Sequence, residues 1–75
     1  MEYISNYAPD DFFKSEGVRY VPGHANGDIT HRDCENGIVS STNSKVVFVR
    51  YIRHNTLQET SQATDPRDLI KIKPQ

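Results

Sequence analysis

The chain has 75 residues, a single cysteine and a formal net charge of −1. That length makes one small domain with a modest core. Cys34 alone excludes an internal disulfide, and near-neutral charge excludes strong non-specific nucleic-acid binding, which needs a broad positive surface.

No apolar run approaches the ~20 residues that span a bilayer. Residues 1–9 also lack the basic and apolar stretches of a secretory leader. The expectation is a soluble, cytoplasmic protein with no membrane partner, and a lone cysteine fits a reducing compartment. Charge is placed unevenly: residues 1–16 carry −3 and residues 43–75 carry +3. A local basic face therefore stays open.

Residues 1–16 form an acidic, aromatic segment containing Tyr3, Tyr7, Phe12 and Phe13. Pro9, Asp10 and Asp11 suit the first turn of a short helix over residues 9–16, which Gly17 would end. One or two turns are not stable alone, so this segment packs its phenylalanines on the domain or stays irregular. Residues 17–75 then make the β domain.

Within it, Val18, Arg19, Tyr20 and Val21 read as a first strand, closed by Pro22 and Gly23. A long polar loop follows, up to Asn36 and Gly37. Residues 38–41 read as a second strand, and residues 42–45 have turn chemistry. Residues 46–52 are the strongest strand, rich in β-branched and aromatic side chains.

Residues 53–60 read as a polar connection and residues 61–64 as a short fourth strand. Asp65, Pro66, Arg67 and Asp68 predict one turn of 3₁₀ helix, because Pro66 fixes φ and Asp65 caps the turn. Residues 69–72 form the last strand.

The resulting expectation is a mainly β fold: a small five-stranded SH3-like barrel with a short N-terminal helical or irregular segment. Closing the sheet would hide edges that a chain this small protects poorly. The competing fold is a flat four-stranded sheet with one helix. Val47, Val49 and Tyr51 share one face of the central strand. Val46, Phe48, Arg50 and Ile52 share the other, with Phe12 and Phe13 expected to cover it.

The run from Tyr20 to Asp28, followed by His31, Asp33, Cys34, Glu35, Gly37 and residues 39–41, resembles a group of small phage and prophage proteins of unknown function. The similarity continues through residues 47–51 and 61–69, covering about residues 17–70. In that group the connection after the central strand is often longer than residues 53–60 here. The resemblance implies a phage or prophage origin and a bacterial cytoplasm; it implies no activity.

The polar loop holds His24, Asp28, His31, Asp33 and Cys34. His24, His31 and Cys34 are residue types that bind zinc, with Asp28 or Asp33 as a fourth ligand. Zinc can also staple a domain short of core. Their spacing, however, lacks the paired knuckles of common zinc sites. In the bland reading, the Asp and Asn side chains satisfy backbone N–H groups and Cys34 packs under the loop. The sequence thus requires no cofactor, and zinc is the one candidate.

Cys34 with a histidine and Asp28 would also compose a thiol, a base and an orienter. A barrel this small offers little enclosed volume for a substrate, so no enzyme and no catalytic residue is predicted. Arg19, Tyr20, Arg50 and Arg53 are the candidate binding residues, and Lys71 and Lys73 could share a basic face with the arginines. They suit either a protein partner from host or phage or, as the second class, nucleic acid. The leading expectation is a non-enzymatic interaction module that modulates a host protein. A nucleic-acid-binding barrel and a zinc-stapled structural domain are the alternatives, and the oligomeric state is open.

Overall fold

The computed structural model describes residues 7–72. It is mainly β: strands β1 (Gly17–Tyr20), β2 (Glu35–Thr42), β3 (Val47–Arg53), β4 (Thr56–Leu57), β5 (Gln62–Thr64) and β6 (Leu69–Lys71) form an open antiparallel sheet. The order is β4–β3–β2–β1–β6, with β5 off this path and paired to β3. β4 pairs with Ile52 and Arg53 at one end of β3, and β5 with Val47, Phe48 and Val49 at the other. No α-helix forms among the described residues.

Alternation on β3 builds the core. Val47, Val49 and Tyr51 are buried on one face, where they meet Val18, Val39, Leu69 and Phe12. Gly37 on β2 lies opposite Tyr51. A Cβ there would sit 2.5 Å from Val49 Cγ1 and 3.0 Å from the Arg50 carbonyl, so only glycine lets these strands approach. The β2–β3 register shifts between Val39 and Ser41, a bulge that bends β2. The extra residue, Ser40, turns its hydroxyl to the Phe48 carbonyl and to Ser61.

Three expectations need correction. The sheet does not close: no ladder joins β5 to β6 among the described residues, and a sixth strand has been added. That strand, β4, forms because His54 and Asn55 both adopt positive φ, at 52° and 62°. Such a two-residue turn matches the right-handed twist of a hairpin.

The expected helix over residues 9–16 shrinks to a 3₁₀ turn at Pro9–Asp11, whose Asp11 carboxylate accepts from the Ala8 amide. Beyond it the segment runs irregularly and pairs with β2 through Ser15 N–H to the Val39 carbonyl. Finally, Phe12 does not cover the outer face of β3. It enters the core, while Phe13 is 67% exposed. The outer face is tied instead by Arg50, whose Nε donates to the Gln58 carbonyl.

Asp65 caps the last 3₁₀ turn, Pro66–Asp68, by accepting from the Arg67 amide, as its sequence predicts.

Candidate functional site

Between β1 and β2 the chain makes the long polar loop, and its own side chains set its shape. A 3₁₀ turn at Gly23–Ala25 presents His24, and Asn26 and Gly27 reverse the chain with φ of 53° and 82°. The Asp28 carboxylate accepts from the Thr30 amide and hydroxyl, which hold its pKa below the usual carboxylate value. Backbone bonds from His31 to Asp28 and from Cys34 to His31 complete the curve. Arg19 braces it from β1, donating to the Ile29 carbonyl and to Asn36 Oδ1, both at 2.7 Å.

The loop has its own small core of Val21, Ala25 and Cys34, with Ile70 packed against it. Cys34 points inward, and its thiol donates to the Asp28 carbonyl at 3.4 Å. Its neighbour Asp33 faces outward. The expected set of His24, His31 and Cys34 is therefore not the one assembled. Asp33 takes the place of the cysteine, because the turn closed by the Cys34 amide on the His31 carbonyl leaves Asp33 at the surface while Cys34 packs beneath it.

His24 Nε2 lies 2.7 Å from Asp33 Oδ2, and His31 Nδ1 lies 3.9 Å from the same oxygen. The two imidazoles meet edge to face at 5.3 Å between centroids. Hydrogen bonding from His24, with His31 also nearby, lowers the Asp33 pKa. His31 Nδ1 also accepts the Asp33 amide at 3.0 Å, which places the proton of the neutral ring on Nε2. Among the described residues, His24, His31 and Asp33 are the group whose donor atoms suit a metal ion.

A second candidate site adjoins the loop. A pocket of about 240 Å³ opens between Tyr20, Tyr51 and β5 on one hand and Glu35, Asp65 and Asp68 on the other. The tyrosine rings meet edge to face at 6.1 Å. The Tyr51 hydroxyl pairs with Thr64 Oγ1 at 2.7 Å, and burial pushes its pKa up to about 12. Burial also raises Tyr20, helped by Asp68 and Glu35.

The three carboxylates differ. Glu35 pairs with Arg53 at 2.9 Å. Asp65 pairs with Arg67 at 2.7 Å, and those hydrogen bonds hold its pKa down. Asp68 makes no ion pair among the described residues, and burial, then the charge of Asp65, pushes its pKa up. The pocket thus contains a half-buried carboxylate with no ion pair among the described residues, and two tyrosine rings beside it.

The predicted basic residues do not converge on a free surface. Arg19, Arg50 and Arg53 all bond within the chain. Lys71 Nζ bonds Glu16 and the Asp11 carbonyl and lies 5.2–5.4 Å from the Tyr7, Phe12 and Phe13 rings. Lys73 lies outside the described residues. Of the predicted binding residues, only Tyr20 lines the pocket. Sequence reading missed Asp68, because the 3₁₀ turn explained Asp65 and left its second acid unassigned. Scans of protein-family models, curated proteins and solved structures find no match to this chain.

Proposed function

We propose that the protein is a non-enzymatic interaction module that receives a basic side chain of a protein partner in the Tyr20–Tyr51–Asp68 pocket. The observation that supports this is the state of Asp68: partly buried, repelled by Asp65 and lacking a cation partner among the described residues. A lysine or arginine delivered there relieves a cost already present in the free protein. The tyrosines add a cation–π attraction of about 0.5–1 kcal/mol.

Strand order supports an SH3-like reading of the domain. β6, β1, β2, β3 and β5 follow one another, with a 3₁₀ turn before the last strand and the final closure missing. The resemblance to small phage and prophage proteins supports a bacterial cytoplasm, where such a module acts by occupying a host or phage protein surface. Nucleic acid is the poorer partner: the candidate arginines are engaged within the chain and the pocket is acidic.

Titration with a panel of lysine- and arginine-bearing peptides, followed by NMR, tests the reading. The expected result is movement of Tyr20, Tyr51 and Asp68 resonances, and about tenfold weaker binding in Asp68→Asn, as for loss of one charged hydrogen bond. Binding should also fade with acid at a higher pH than an ordinary carboxylate would dictate, because the Asp68 pKa is raised. If no basic peptide moves those resonances and a lysate partner is retained equally by Asp68→Asn, the reading fails.

A further inference from the structure

We infer that His24, His31 and Asp33 form an open binding site for a zinc-class dication, separate from the pocket. Their donor atoms all lie within 4.8 Å of one another, brought there from one loop. Around a tetrahedral ion with ligands at about 2.1 Å, donors stand about 3.4 Å apart. The two spacings to Asp33, 2.7 and 3.9 Å, bracket that value and the two histidine donors lie within 4.8 Å, so side-chain movements of about 1–1.5 Å bring all three to it. Two imidazoles and one carboxylate favour zinc over magnesium or calcium, which prefer oxygen ligands.

The loop is ordered before any ion arrives. The Asp28 turn, the Gly23–Ala25 turn and the Cys34 core hold the three side chains in place. Binding therefore orders little new chain. This separates the site from a zinc staple, where metal and fold form together. His24 and Asp33 side chains are 63% and 51% exposed, so the ion keeps a solvent-facing position for water or for a ligand atom from another molecule.

One local bond competes. His31 Nδ1 accepts the Asp33 amide, and an ion that takes this nitrogen must displace that N–H. The displacement reduces affinity and also gives a signature. When zinc binds, the Asp33 amide loses its acceptor and its resonance moves together with those of both imidazoles.

The experiment uses untagged, metal-stripped full chain, titrated with zinc chloride by calorimetry and by ¹H–¹⁵N NMR at neutral pH. One equivalent should bind, with the Asp33 amide and both imidazoles shifting, and magnesium at the same concentration should leave them in place. His24→Ala and Asp33→Asn should each weaken binding by about tenfold or more, whereas Glu59→Gln, an exposed carboxylate outside the loop, should leave it unchanged. Thermal melting confirms that the variants fold, and the wild-type shifts stand without any variant. Excess zinc that leaves Asp33 and both imidazoles unmoved overturns the site. Undiminished zinc binding in both His24→Ala and Asp33→Asn overturns the ligand set.

Discussion

At the residue scale, Gly37 shows how little slack the core has. Its backbone does not require positive φ; what it needs is the absence of a Cβ, since Val49, Arg50 and Tyr51 occupy that space. Gly37→Ala should cost about 1–3 kcal/mol through overpacking, read as a lower melting temperature. Tyr51 makes a second prediction. Its folded pKa is about 12, against an ordinary value of 10.0. Its stabilising contribution is therefore full below pH 10, where both states are neutral, and is lost as pH rises from there through 12. Denaturation followed across that range should show stability falling in the wild type and falling less in Tyr51→Phe. The inward parity of Tyr51 was legible from Val47 and Val49. The direction of Cys34 was not, because a loop has no fixed period to reveal which neighbour turns inward.

At the element scale, the Pro66–Asp68 turn links strand pairing to the pocket. Asp65 caps it and pairs with Arg67, and Asp68 leaves it towards the tyrosines. Asp65→Ala should destabilise the protein by about 1 kcal/mol at neutral pH through the lost cap. Because the folded pKa of Asp65 is lowered, its contribution is present above the ordinary carboxylate pKa and lost as pH falls through the folded value. The variant and the wild type should therefore converge in chemical denaturation at strongly acidic pH. This turn was readable from Pro66 and Asp65 because its forces are local. The β3–β4 hairpin was not, because His54 and Asn55 replace the usual Asn-Gly signal and the strand beyond has only two residues.

At the scale of the whole molecule, the main core depends on a side chain from outside the sheet. Phe12 is 4% exposed and packs among strand residues. Phe12→Ala should cost about 3–5 kcal/mol, which approaches the whole stability of a domain this small. Loss of a cooperative thermal transition is the expected result, and a melting temperature within a few degrees of wild type would refute it. Strand order was legible in outline because β-branched runs and turn residues mark it. The open sheet and the pocket were not, since both depend on how distant segments meet.

The fastening of the first described segment to the last strand also determines how the protein bears load. Lys71 reaches the carbonyl of Asp11 and the carboxylate of Glu16, and the Ile72 amide reaches the carbonyl of Gly17. Residues 17 and 72 therefore lie side by side. A pull between them does not shear β1 along β6; it opens the pair from one end, so the bonds fail in sequence, starting at Ile72 and Gly17. Single-molecule stretching from the exposed residues 14 and 72 should record low, zipper-like rupture forces, whereas attachment at residues 14 and 43 should meet greater resistance. Tethered at these two neighbouring segments, such a domain extends readily under tension.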